Sequence, residues 1–230
     1  VNTPLNSTLP LGSCLIEATQ AQFHKKVPSL LRAPLHGTHA WRVGMSGAGK
    51  EFMERRGWVQ PFCLTVTTPE QIRTQSDSFD RLFIPGEFCR QGDVLTAAAE
   101  SGKTIFLERG AFLAPSDIKR AVEKLDSARQ RLVLVEGGSA FGYSDRVLDP
   151  RSMEVLLSLG CPIALNMNPL ISSIGAPYEH RPQWLESDSF DLAFIRTALA
   201  FNVHYLILPS SRELATGALD MWLAAHTEGR

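Results

Sequence analysis

Glu136 closes an uninterrupted apolar run, Leu132–Val135. A carboxyl at the end of a buried segment loses hydration. Its pKa then rises, and it can act as a general acid or base. The plainer reading is a carboxylate paired with Arg109. His36 and His39 titrate near neutrality and suit proton transfer or anion binding; as ordinary loop residues they would simply be solvated. Arg32, Arg42 and Arg109 are cations that together can bind one small anion. Asn166 and Asn168, in the stretch ALNMN, can hydrogen-bond a neutral or sugar-like ligand. The four tryptophans are dispersed, and no aromatic cage is evident.

These residues need a scaffold, and the chain supplies one by alternation. Apolar runs occur at Cys14–Glu17, Phe62–Thr67, Arg81–Ile84, Thr104–Leu107, Leu132–Val135, Pro162–Leu165 and His204–Leu208, with a further strand through Ser29–Leu31. Successive apolar residues are the pattern of parallel strands buried on both faces. Between them lie helical segments. In Ser116–Leu125, Ile118, Ala121, Val122 and Leu125 share one face. In Arg90–Ser101, Val94, Leu95, Ala98 and Ala99 point inward and Gly102 is the stop. Gly49–Arg56, Arg151–Leu159, Phe190–Ala200 and Glu213–Ala225 are further helices.

Eight strands alternating with helices predict an α/β fold, a (β/α)8 TIM barrel. A doubly wound open sheet is the competitor. No GxGxxG follows the first strand, which counts against dinucleotide binding. The segment Glu17–Arg32 is too short for a full helix and a strand, so the first helix is predicted to be shortened. Asn168–Asp188 is long for a connection between strand and helix. It follows the seventh strand, on the side where a barrel forms its site.

The 230 residues suit a single barrel domain over 12–230, preceded by a polar tail over 1–11. With 44% hydrophobic and 20% charged residues, the chain is neither disordered nor fibrous. A formal net charge of −1 argues against a general grip on nucleic acid or an anionic membrane. No apolar run has the length of a membrane span. Val1–Pro10 lacks a signal pattern, and the absent initiator Met suggests a trimmed or partial start. The four cysteines form no CxxC pair. They read as buried, reduced thiols of a cytoplasmic protein.

Three stretches carry a resemblance. Ile84–Lys103 (IPGEFCRQGDVLTAAAESGK) with Gly110–Leu125 (GAFLAPSDIKRAVEKL), and Glu136–Ser152 (EGGSAFGYSDRVLDPRS), resemble the 3-deoxy-manno-octulosonate 8-phosphate (KDO8P) synthases. GSCLIEA, Gly12–Ala18, is similar to that family's first strand. The resemblance implies a (β/α)8 barrel that condenses phosphoenolpyruvate with arabinose 5-phosphate. The related 3-deoxy-arabino-heptulosonate 7-phosphate synthases share this chemistry. It also implies a homotetramer and, in one branch, a divalent metal held by Cys, His, Glu and Asp.

Set against those expectations, the chemistry is thinned. Cys14 stands where the metal-binding branch has its Cys, but Asn168 replaces the His and Leu208 the Glu. Only Asp220 is a candidate for the Asp. An amide oxygen is a poor substitute for imidazole at a transition metal. The expectation is therefore no cofactor, with Cys14 a vestige of the metal site. Glu108, Arg109 and Gly110 replace a Lys-Lys-Gly, and Glu136, Gly137 and Gly138 replace a Glu-Arg-Gly that grips phosphoenolpyruvate. The sugar-phosphate loop keeps its first cation at Arg32, with Arg42 a substitute for another. Thr65, Val66 and Thr67 replace an Asp-x-His. Arg90 matches the family, either as a substrate ligand or in a structural or subunit-interface ion pair.

Retained residues serve turns and packing; departed ones serve catalysis. A fold and its site are separate physical requirements. The leading reading is a degenerate member of the family, a pseudoenzyme that binds a small anionic or sugar-like metabolite. It would assemble as a homo-oligomer or with an active relative. Two rivals stand beside it. One is a repurposed lyase or carbon–carbon bond-forming enzyme using Glu136, His36 or His39. The other is an active synthase with compensating substitutions.

Overall fold

A computed structural model describes residues 13–17, 63–79, 81–141, 145–172 and 189–209. In chain order the strands begin with β1 (Ser13–Glu17), β2 (Cys63–Thr65), β3 (Arg81–Ile84), β4 (Thr104–Glu108) and β5 (Leu132–Glu136). A hairpin, β6 (Ser139–Phe141) and β7 (Asp145–Val147), precedes β8 (Ile163–Asn166) and β9 (Tyr205–Pro209). The α-helices are α1 (Pro69–Gln75), α2 (Gly92–Glu100), α3 (Lys119–Lys124), α4 (Pro150–Ser158), α5 (Met167–Ser172) and α6 (Ser189–Ala200).

Strands β2, β3, β4, β5, β8 and β9 run parallel and neighbour one another in the order of the chain. They form a curled sheet, a half-barrel, with helices alternating between strands. A doubly wound sheet reverses its order at a switch point; among these six strands there is no reversal.

The alternation of side chains divides two cores. Leu82, Ile84, Ile105, Leu107, Leu132, Leu134, Ile163 and Leu165 point outward and pack with Val94, Leu95, Ile118, Val122 and Leu156 of the surrounding segments. Cys63, Phe83, Phe106, Val133, Val135, Ala164 and Ile207 form a second cluster on the inner face. There the Phe106 and Tyr205 rings meet edge to face at 5.2 Å, and the Arg81 guanidinium lies 5.9 Å from the Phe106 centroid. Both contacts suit the ring quadrupole.

The four predicted helices that fall within the described residues are present with small shifts. Helix α2 buries Val94, Leu95 and Ala98, and Gly102, at φ +73°, ends its last turn. The segment expected as Ser116–Leu125 starts as a 3-10 turn, Pro115–Ile118, before becoming α3. The long connection after the seventh predicted strand opens as helix α5.

One expectation is corrected. The first strand of a parallel barrel should run with its neighbours. Instead β1 pairs antiparallel with β9, placing Cys14 opposite Leu208. A short apolar strand presents the same alternation in either direction, and an antiparallel ladder is slightly the more stable per residue. Direction is therefore not encoded in the strand's own residues. The strand at Ser29–Leu31, the helices Gly49–Arg56 and Glu213–Ala225, the shortened first helix and the tail 1–11 lie outside the described residues. Among the described residues, no helix is long and apolar enough to cross a membrane.

Candidate functional site at the C-terminal strand ends

The inner face ends in polar residues. On β4, Glu108 follows Phe106 two residues on and so shares its side of the sheet. By the same count Asn166 follows Ala164 on β8, and Thr65 follows Cys63 on β2. All three are buried, Glu108 being 5% exposed and Asn166 2%. The Glu108 Oε2 accepts the Gly86 N–H at 3.0 Å, and its Oε1 accepts from Asn166 Nδ2 at 2.8 Å. Burial pushes the Glu108 pKa up, opposed by the Gly86 and Asn166 hydrogen bonds and by the charge of Arg146.

Arg109 and Glu136 belong to the other side. Glu136 shares the parity of Leu132 and Leu134, which pack in the outer core. Its carboxylate takes Arg109 Nε on Oε2 at 2.8 Å and Nη2 on Oε1 at 2.6 Å. The Gly138 N–H also donates to Oε1, at 2.7 Å. Arg109 further donates Nη1 to the carbonyls of Gly110 and Leu113, and Nη2 to the Ser139 hydroxyl. These five bonds match the five N–H donors of a guanidinium. Arg109 is 1% exposed and Glu136 fully buried. Of the two readings the sequence left open for Glu136, the structure has the ion pair.

The turn after β5 depends on two glycines. Gly138 has φ +84°, a left-handed conformation that favours glycine. At Gly137 a Cβ would lie 2.6 Å from Glu108 Oε1 and 3.5 Å from Arg146 Nη1. The β6–β7 hairpin brings Arg146 to this place. Its Nη1 donates to the Gly137 carbonyl at 3.4 Å, and its Nη2 lies 4.0 Å from Glu87 Oε1.

At the end of β2, the residues standing for the Asp-x-His lead into a helix cap. Thr67 donates both its N–H and its hydroxyl to Gln71 Oε1, at 2.8 and 3.3 Å. Thr68 caps α1 reciprocally: its hydroxyl accepts the Gln71 N–H, and Gln71 Oε1 accepts the Thr68 N–H, each at 3.3 Å.

The structure thus brings Asn166 to the inner mouth and locks Arg109 and Glu136 beside it on the outer side. Arg90 is exposed in the turn before α2. Asn168 lies in the first turn of α5. Arg32, His36, His39 and Arg42 lie outside the described residues. Sequence reasoning missed Glu108 and Arg146 as site residues. Counting alternation one position past the apolar run would have found Glu108; the short hairpin carrying Arg146 gave no comparable signal.

At the metal-ligand positions implied by the resemblance stand Cys14 on β1, Leu208 registered opposite it on β9, and Asn168 in the first turn of α5, while Asp220 lies outside the described residues.

Comparison with curated proteins bears out the resemblance. The chain is 39% identical over 107 residues to the 2-dehydro-3-deoxyphosphooctonate aldolase of Syntrophotalea carbinolica, covering 46% of this chain and 39% of that protein. It is 40% identical over 104 residues to that of Geobacter sp. strain M21, covering 45% and 38%. For that of Bartonella henselae the figures are 37% over 123 residues, 53% and 44%. The matched region therefore spans roughly two fifths of the length of these relatives, which are KDO8P synthases under another name. No family model matches the chain.

Proposed function

We propose that this chain, a relative of the 2-dehydro-3-deoxyphosphooctonate aldolases over about half of its length, is a (β/α)8 barrel that no longer performs the KDO8P synthase condensation. It serves instead to bind a small metabolite or to assemble, with copies of itself or with an active relative, in the cytoplasm. The family reaction joins two phosphorylated substrates, and a site for it must converge cations on them.

The observation that carries the reading is the use made of Arg109. All of its donors are engaged within the protein, so the cation retained from the Lys-Lys-Gly has no N–H to offer a phosphate. Beside it the mouth carries the Glu108 carboxyl in place of a Lys. Protonated, that carboxyl offers a phosphate no attraction; ionised, at ~4 Å and an effective dielectric near 20, it turns one such attraction into a repulsion that costs several kcal/mol. Gly137 supplies no cation where the family has Arg. Thr67 is occupied beside a helix cap. The donor set at Cys14, Asn168 and Leu208 supports a protein working without a metal. Buried, free Cys63, Cys89 and Cys161 suit a reducing compartment.

The test is direct. The pure protein is incubated with phosphoenolpyruvate and arabinose 5-phosphate, with and without Mn²⁺ or Zn²⁺, and phosphate release is followed. No release above the uncatalysed background is expected. Turnover at the rate of an authentic synthase, measured alongside, overturns the proposal.

A further inference from the structure

We infer that Glu108 is a built-in occupant of the mouth: its carboxyl takes up buried donors at the inner strand ends that would otherwise receive a small carboxylate. This rests on the proposed loss of the family reaction and deepens it. A mouth whose donors are engaged by the chain itself favours assembly, rather than capture of a small acid there, as the role of the barrel.

Two donors from opposite sides meet on this one group. The Gly86 N–H, in the turn after β3, donates to Oε2 at 3.0 Å, and Asn166 Nδ2, at the end of β8, donates to Oε1 at 2.8 Å. In the sheet β4 lies directly beside β3 but is separated from β8 by β5. The carboxyl therefore ties strand ends together across the inner face, where Val135 of β5 is its registered neighbour. The turn after β3 also approaches the end of β4 closely. A Cβ on Gly86 would lie 2.9 Å from Gly110 Cα and 3.0 Å from the Arg109 carbonyl oxygen. That backbone contact helps to hold the Gly86 N–H where Glu108 receives it.

One donor to each oxygen is how a binding site receives a free carboxylate. Here the acid is tethered, so its local concentration is set by the chain and not by solution. Glu108 and Asn166 are both buried, and a buried N–H deprived of its acceptor is costly. Asn166 has contacts besides this one, and the bond to Glu108 is made alongside them. Cutting Glu108 back to Ala removes a methylene and a carboxyl, which together have the size of acetate. The truncation itself thus creates the space that a free acid would fill, between the same two donors.

The experiment uses the full chain and two variants, E108A and E108S. Melting temperatures are measured in about 0.2 M sodium chloride, sodium acetate and sodium formate, with the starting protein's change between salts subtracted as the general salt effect. In chloride, E108A should melt lower than the starting protein by at least roughly 4 °C. Acetate or formate should return at least about half of that loss, because a ligand that binds only the folded state raises its stability. E108S keeps one acceptor oxygen near the backbone. It is the milder variant should E108A not fold, and it should gain from formate, the smaller acid, in the same way.

An E108A that melts as high as the starting protein overturns the inference. So does a gain in acetate and formate that is no larger in either variant than in the starting protein. Rescue is read from melting alone, without turnover. It can therefore hold or fail whether or not phosphate release is found with the family's two substrates.

Discussion

Arg109 and Glu136 are joined at two points, Nε to Oε2 at 2.8 Å and Nη2 to Oε1 at 2.6 Å, with both side chains withdrawn from solvent. They arise from the ends of adjacent strands and fasten the turns after both. Gly110, Leu113, Gly138 and Ser139 all bond to one member or the other. Glu136→Ala would leave a buried guanidinium without its counter-charge, and a loss of about 3–5 kcal/mol is expected. Replacing both with hydrocarbons, as in R109M/E136M, removes the stranded charge and should cost less than either single change. Urea unfolding of Glu136→Ala, Arg109→Met and R109M/E136M measures this. A loss below about 1 kcal/mol for Glu136→Ala would mean that the pair is no more than a surface salt bridge in strength.

Glu108 gives the fold a pH dependence of opposite sign to that of most carboxylates. Burial holds its pKa above the ordinary value of 4.5 in the folded protein. Between that value and the higher folded one, the native state keeps a proton that the unfolded chain has released. The stability this contributes is complete below the unfolded pKa and is lost as pH rises through the folded one. Glu108→Gln carries no titrating proton, so its unfolding midpoint should decline less over the same range. Parallel urea titrations of the two proteins, stepped upward from pH 4.5, test the difference. A steeper decline in the Gln variant would contradict it.

The strands were largely legible because parallel strands buried on both faces must be apolar on successive residues. Arg81–Ile84 was read to the residue. Thr104–Leu107 and Leu132–Val135 each stop one residue short, at Glu108 and Glu136. An apolar criterion ends at a charge, although the ladder continues through it. That single position hid which carboxyl faces inward: Glu108 keeps the parity of Phe106, while Glu136 keeps that of the outward Leu134. The β6–β7 hairpin was not read at all. Its strands are three residues long, and Phe141 is 74% exposed, so no buried face imposes a pattern on them. The direction of β1 was equally hidden, since alternation is the same in both senses.

Helix α1 was also missed, although its start is marked in the sequence by Thr68-Pro69-Glu70-Gln71. Thr68 supplies the cap and Gln71 the reciprocal bond, with Pro69 in the first turn, where no N–H is required. Thr68→Ala removes an acceptor from the Gln71 N–H, and a loss of about 1 kcal/mol is expected, with Thr68→Ser retaining most of it. Denaturant midpoints of the two variants separate the hydroxyl from the methyl group. Equal losses in both would show that packing of the methyl, rather than the cap, holds the helix start.

Cys63 stands on the inner face with Phe83 and Phe106, and its burial pushes the thiol up to about 12, against a smaller opposing effect of Arg81. The thiolate is the reactive form, so at pH 8 almost none is present and the reagent has little access. Native protein treated with iodoacetamide should leave Cys63 unmodified over a time that labels it fully in 8 M urea, as read by peptide mass. The same protection marks the integrity of the inner cluster. Phe106→Ala opens a cavity in the same cluster at a cost of about 3–5 kcal/mol, and labelling of Cys63 should then accelerate in step with the lost stability. Labelling that is rapid in the unaltered protein would mean that the inner face of the half-barrel is open to solvent.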